Sequence, residues 1–263
     1  VKSRALPALL ALALVACGVA FGVVAIQSRG TDDDATTGGT ALAAATTGIG
    51  TTNLPPKAVG PVREPEPGFL GAQAVVPNVD LFPHANSDRA MFTLPNPTHE
   101  GVPLAFTVLE TVGSRLHVRL PIRPNGSTAW IDASQAISYV VPNHLLVDLS
   151  DRTVTAMHGT ENLMTASLAV GSSSTPTPTG DFYVDISVAH PGGSYGDWML
   201  SIAGFSNVLH SFGGGIGQIA FHGWSDESVI GQAVSNGCLR MPNSVITRLA
   251  PLAPVGTPVT IRA

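Results

Sequence analysis

The sequence predicts a mainly β protein, with two strand-rich units in tandem and one or two short helices. Three observations lead there. Apolar and β-branched residues alternate in short runs, and Gly (28) and Pro (21) separate those runs along the 263 residues. Helical spacing is visible in one segment near the C-terminus, Asn243–Ala253. Charged residues make up 12% of the chain, below the roughly 25% of ordinary soluble domains. With a net charge of −5 and no basic run past the first few residues, nucleic acid is not an expected partner.

The first element is Ala5–Ile26, 22 residues without a charge. At about 1.5 Å per residue it can cross a hydrocarbon core of roughly 30 Å. Lys2 and Arg4 precede it and Asp32–Asp34 follow, so the positive-inside bias leaves the N-terminus in the cytoplasm and the remainder outside. An uncleaved membrane anchor over residues 1–27 is the expectation. A cleaved signal peptide, and acylation of Cys17 in the lipobox-like Leu14-Val15-Ala16-Cys17, are the alternatives. All three export the protein, as an extracytoplasmic, membrane-anchored or wall-directed chain. Residues 28–68, rich in Thr, Ala, Gly and Pro, lack the large apolar side chains needed to offset ordering and read as a disordered tether. Such a tether reaches on the order of 35 Å as a flexible coil.

Residues 69–140 form the first strand-rich unit. "VPLAFTVLE", "SRLHVRLPI" and "STAWIDASQ" read as short strands, with turns at Gly113-Ser114 and Pro124-Asn125-Gly126. Short strands at close spacing suggest a small β-barrel. In "RLHVRLPIRPNGSTAWI" the unit resembles a bacterial SH3-like module, which implies either a spacer or a wall-binding element.

Residues 143–263 form the second unit, long enough for a core of its own. "HLLVDLSDRTVTAMHG" reads as a hairpin, with Leu145, Val147, Leu149 and Val154 on one face and its turn at Ser150-Asp151-Arg152. "MTASLAVG" reads as a strand, and "STPTPTGDFYVDIS" as a proline-punctuated loop leading into another. "GQIAFHG" and the closing "GTPVTIRA" complete the set. In "NSVITRLAPLA", Asn243 is placed to cap a short helix that presents Val245, Ile246 and Leu249 and stops near Pro251.

Chemistry concentrates at "VSNGCLRM", residues 234–241. With two cysteines in the chain and Cys17 in or near the membrane, Cys238 has no intramolecular disulfide partner. His84, His99, His117, His144, His158 and His190 scatter without ligand spacing, so no metal is expected. Cys238 is then a buried small residue or a nucleophile. A nucleophilic thiol needs a base, and His222 lies sixteen residues upstream at the end of an apolar strand, beside Gly223. Gly237 permits close backbone approach just before the cysteine.

Four segments in register, Thr177-Pro178-Thr179-Gly180, "AFHG" at 220–223, "SNGCLRM" at 235–241 and "VGTPVTI" at 255–261, resemble the catalytic domain of the L,D-transpeptidases of the YkuD type. The likeness runs over essentially all of residues 143–263 and implies an L,D-transpeptidase-type β-sandwich. It implies Cys238 as nucleophile, His222 as base and the Gly223 carbonyl as the group that orients the imidazole. Backbone N–H groups of Gly237 and Cys238 would form the oxyanion hole. Ser235, Asn236, Arg240, Trp224 and Tyr195 would meet the substrate, with Arg240 alternatively held in an ion pair beneath the Cys loop. Asn236 departs from the histidine common at that position, which leaves base duty to His222. The Gly-rich stretch 189–217, including His210, would carry a lid.

The activity so implied is transfer between peptidoglycan stem peptides. A stem tetrapeptide acylates the cysteine and releases D-Ala, and a second stem's amine resolves the thioester into a 3→3 crosslink. Acylation by a carbapenem β-lactam is expected, and no cofactor. The alternatives are an L,D-carboxypeptidase acting on the same stems and a catalytically weak wall-binding protein. Papain-like and NlpC/P60-type hydrolases place the cysteine before the histidine, the reverse of the order here.

Overall fold

Alternation in the sequence becomes strand pairing in the computed structural model of the chain, which describes residues 68–263. The apolar segment 5–26, Cys17 and the tether up to residue 67 lie outside the described residues. Seven strands come first: β1 (Phe69–Ala74), β2 (Asn78–Leu81), β3 (Phe92–Pro95), β4 (Ala105–Val112), β5 (Arg115–Arg119), β6 (Thr128–Asp132) and β7 (Ala136–Val141). Five make an antiparallel sheet in the order β6-β5-β4-β1-β7, and β2 pairs with β3 separately. The period-two pattern explains the register. Leu116 sits opposite Ile131 and Val118 opposite Ala129, and all four turn inward onto Phe106, Val79 and Leu81. Ala133–Gln135 leaves the strand read from the sequence and forms a 3-10 turn. The Asp132 carboxylate accepts from the Ser134 N–H at 2.9 Å and from its hydroxyl at 2.7 Å, a local alternative to the ladder.

Ten strands and a helix follow. They are β8 (His144–Asp148), β9 (Thr153–His158), β10 (Glu161–Ser167), β11 (Val170–Gly171), β12 (Gly180–Ala189) and β13 (Trp198–Phe205). Then come β14 (Gln218–Trp224), β15 (Ala233–Ser235), β16 (Leu239–Pro242), α1 (Asn243–Leu249) and β17 (Pro258–Arg262). Eight strands form one mixed sheet, ordered β10-β9-β8-β17-β12-β13-β14-β16. The hairpin legible in the sequence is present, with Leu145 opposite Ala156 and Val147 opposite Val154, all in the core.

Three expectations change. "MTASLAVG" is two strands, because Leu168 and Ala169 leave the ladder; the Leu168 N–H donates to Arg152 O at 2.7 Å and Ala169 exchanges bonds with Arg240. The Gly-rich stretch 189–217 is no continuous loop, since β13 runs through it with Leu200 and Ile202 buried between β12 and β14. Asn243 does not cap α1. Pro242 takes that position, and Asn243 Oδ1 accepts from the Asp197 N–H at 3.1 Å instead. Ile246 and Leu249 are buried as expected, and the helix tightens to a 3-10 turn at Ala250, beside Pro251.

Both sheets belong to one compact unit. The buried Tyr183 hydroxyl donates to Ala105 O at 2.9 Å. The β5–β6 loop also grips the segment after β13. Arg123 donates to Ser206 O at 2.7 Å, Ile216 O at 3.1 Å and Leu209 O at 3.2 Å. Asn125 accepts from the Phe205 N–H at 2.9 Å and donates to its carbonyl at 2.8 Å.

Candidate active site

Cys238 ends a tight turn, Ser235–Cys238, between β15 and β16, and side chains from the turn itself and from one distant segment brace it. Ser235 Oγ donates to the Cys238 carbonyl at 2.6 Å and accepts from the Gly237 N–H at 3.1 Å. Thr175 Oγ1 donates to Ser235 O at 2.9 Å. Thr177 Oγ1 donates to Gly237 O at 2.8 Å and accepts from the Gly171 N–H at 2.9 Å. A Cβ on Gly171 would overlap the backbone at Thr175 and Thr177, so this close approach requires glycine. Gly237 has φ +115, and a Cβ there would meet Ile219 Cδ1 at 2.8 Å. The turn is thus bound to the Thr175–Thr177 segment from sixty residues away, a purpose for the TPTG motif that spacing alone does not show.

Two residues with implied roles are engaged within the turn. Ser235 is 1% exposed and spends its hydroxyl there, which shapes the loop that carries Cys238. The Gly237 N–H points at Ser235 Oγ, which removes it as an oxyanion donor in this arrangement.

His222 lies inside β14, which continues to Trp224, not at the strand's end. Parallel pairing of β14 with β16 sets Phe221 against Leu239 and His222 against Arg240. That register brings together groups sixteen residues apart. The imidazole is 3% exposed, and its Nδ1–H donates to the Gly223 carbonyl at 2.8 Å. Because a carbonyl only accepts, Nδ1 carries the proton and the Nε2 lone pair stays available. Tyr195 and Trp224 present their rings edge-on to the imidazole, with centroids at 5.0 and 5.8 Å. Asn243 Oδ1 packs between Gly196 and Gly223, where a Cβ on either glycine would overlap it. This contact holds the Tyr195 segment over the histidine, and the sequence reading missed it by assigning Asn243 to a cap.

Burial pushes His222 down to about 4; the Gly223 hydrogen bond opposes this and the Arg240 charge adds to it. Burial pushes the Cys238 thiol up, against a hydrogen bond from the Ala220 N–H and the Arg240 charge. Both shifts favour the uncharged forms, a thiol and a neutral imidazole.

Cys238, His222, Trp224, Arg240, Asn236 and Tyr195 line one cavity of about 220 Å³, closed partly by Ser206, Leu209 and Phe212. The Arg240 guanidinium lies over the Trp224 ring, 3.9 Å from its centroid, and its Nε is buried without a hydrogen-bond partner. Among the described residues Arg240 has no carboxylate partner, so the ion pair beneath the Cys loop is absent. A cation fixed by stacking, with donors unspent, suits a carboxylate. His210, assigned to the lid, borders a separate depression beside Arg123 and Asn125.

Residues 142–261 match the model of the family described as the L,D-transpeptidase catalytic domain, YkuD. The chain is 36% identical over 123 residues to the L,D-transpeptidase-type protein YkuD of Bacillus subtilis, covering 47% of this chain and 68% of that protein. It is 34% identical over 121 residues to YkuD of Bacillus licheniformis, covering 46% of this chain and 66% of the relative, just under two thirds. Among solved structures, the catalytic domain of an Enterococcus faecium L,D-transpeptidase aligns with a TM-score of 0.35 and 20% identity, over 47% of this chain and 99% of that one.

Proposed function

The chain belongs to the YkuD-type L,D-transpeptidase family, and from that premise we propose that it forms 3→3 peptidoglycan crosslinks through a thioester on Cys238. The observation that carries this reading is the His222 tautomer: with Nδ1–H committed to Gly223 O, Nε2 is the free base of a cavity that also contains Cys238. The place of action is outside the cytoplasmic membrane, where the stems are.

In the first half-reaction Nε2 takes the thiol proton as sulfur attacks the carbonyl of the stem's third residue. Since the resting pair is uncharged, proton transfer accompanies attack and no standing thiolate is needed. The Cys238 N–H is the oxyanion donor left by the engagement of Gly237, and one such donor contributes roughly 3–4 kcal/mol in acyl transfer. Arg240, stacked on Trp224, holds the terminal carboxylate of the departing D-Ala. Imidazolium returns its proton to the leaving amine, the C–N bond breaks, and a thioester remains. In the second half a neutral amine of another stem attacks the thioester. The C–S bond breaks, His222 relays the amine proton to sulfur, and amide and thiol result. Water in place of the amine gives the carboxypeptidase outcome from the same site.

Incubation of the protein with a carbapenem, read by intact mass, tests the first half. A covalent adduct that is lost in Cys238→Ala is expected, with D-Ala release from a tetrapeptide stem. Absence of both would remove the transpeptidase reading.

A further inference from the structure

Cys238 also opens onto a second cavity, of about 290 Å³, lined in part by Glu100, Ser201 and Ala220. It shares Glu100, Ile186, Ile216 and Gln218 with a third, of about 360 Å³, walled by Leu94, Leu104, Pro121 and Ile186 and containing Asp185. The two form a continuous groove from the first sheet to the nucleophile. Resting on the transpeptidase reading, we propose that this groove binds the primary alkylammonium group of the acceptor, with Glu100 and Asp185 as its recognition residues.

Asp185 points most directly to a ligand. It is 8% exposed, and its Oδ2 accepts from Gln218 Nε2 at 2.6 Å, but its Oδ1 is buried with no partner. A buried carboxylate oxygen without a donor is costly, and a bound donor relieves that cost. Burial pushes Asp185 up to about 7 against the Gln218 bond, and the Glu100 charge adds to the push. A cation between the two carboxyls reverses both effects.

The walls supply the second condition. Neither Lys nor Arg is among the described residues lining the two cavities; the one basic side chain there is His99, whose Nδ1 lies 3.1 Å from Glu100 Oε1, and much of the remaining surface is apolar. The other cavity at Cys238 holds Arg240. The nucleophile therefore lies between a cationic compartment, suited to the donor's carboxylate, and an acidic one with methylene-compatible walls, suited to an amine on an alkyl chain. Glu100 comes from the first sheet's loops, outside the matched residues 142–261, so the selectivity belongs to this chain's own architecture. The site binds the ammonium form; a proton passes to solvent before the neutral amine attacks.

Two arms test this in the full chain. With stem tetrapeptide as donor, product is divided into amine-resolved dimer and hydrolysed stem while acceptor concentration is varied. Glu100→Gln is expected to lower the dimer-to-hydrolysis ratio at limiting acceptor about tenfold, by loss of one charge-assisted contact. Carbapenem acylation should stay unchanged. An unaltered ratio would overturn the proposal, as would an equal fall in acylation, which would make Glu100 structural. The second arm uses Cys238→Ala, which cannot be acylated, and follows binding of Nα-acetyl-lysine amide by NMR. Shifts at Glu100 and Asp185 that vanish with the Nε-acetylated probe are expected, and equal shifts with both probes would overturn it. This arm reads out even if wild-type protein never forms an acyl-enzyme, which separates failure of the subsite from failure of the transpeptidase reading.

Discussion

The Nδ1–H of His222 donates to the carbonyl oxygen of the residue that follows it, Gly223, at 2.8 Å. A backbone carbonyl, and no carboxylate, therefore sets the tautomer of this imidazole. The same glycine has no room for a side chain, because Asn243 Oδ1 packs where its Cβ would stand. Gly223→Ala is expected to push α1 and β14 apart and turn the imidazole. Displacement of about an ångström costs on the order of 100-fold in rate. His222→Ala should lose about 100- to 10,000-fold, the range of a positioned general base. Both are read as the rate of carbapenem adduct formation, and a wild-type rate in Gly223→Ala would dismiss the carbonyl's role.

Protonation of His222 links activity to stability. Its ordinary value of 6.5 is depressed to about 4 in the folded chain by burial, so between those limits the unfolded chain binds the extra proton. Stability from this group is present above pH 6.5 and is lost as pH falls towards 4. The difference amounts to about 3 kcal/mol. His222→Gln should flatten this part of the pH dependence, measured as urea midpoints at pH 7 and 4.5. The acid limb of the wild-type acylation rate should likewise fall near pH 4, and a limb at 6.5 would contradict the buried neutral imidazole.

Thr177 is 5% exposed and joins Gly171 N–H to Gly237 O through one hydroxyl. Thr177→Val keeps the shape but strands a buried donor and acceptor, at about 1–3 kcal/mol. A lowered urea midpoint and slower adduct formation should appear together, since the same turn carries Cys238. Slower chemistry with unchanged stability would mean that the hydroxyl acts on substrate instead.

Arg123 is a positioning residue for the segment that closes the cavity. Its three carbonyl partners, Ser206, Leu209 and Ile216, span the residues from the end of β13 almost to β14. Arg123→Ala is expected to raise KM for the donor stem about tenfold, because losing all three carbonyl contacts frees the segment that closes the cavity, with kcat changed less. Arg123→Lys should fail to restore it, because a single ammonium cannot match the guanidinium's planar fork of donors. Equal KM values in all three proteins would make the β5–β6 loop a spacer.

Legibility differed from residue to residue for physical reasons. The alternation of Leu145, Val147 and Val154 is a local property of an antiparallel hairpin, and it survives into the observed register. His222 and Cys238 were visible because a thiol and an imidazole at that spacing match a known pattern. The break at Leu168-Ala169, the strand within 189–217 and the use of Asn243 were not visible. Each depends on partners far along the chain: Arg152 and Arg240, β12 and β14, and Asp197. The family resemblance implies substrate and oxyanion roles for Ser235 and Gly237. Their hydrogen bonds to each other and to the Cys238 carbonyl are a matter of turn geometry.

The sequence by itself determined the strand-rich class, the order of His222 and Cys238 within motifs that match the family, and the glycines that let backbones approach. Those follow from side-chain chemistry and short-range periodicity. The tertiary structure alone decided which imidazole nitrogen is free, that burial favours the uncharged forms of His222 and Cys238, and that Arg240 stacks on Trp224 instead of pairing with a carboxylate. It also placed Glu100 of the β3–β4 connection beside a groove leading to Cys238. These outcomes depend on burial and on parallel pairing of distant strands, and neither is encoded within any single window of the chain.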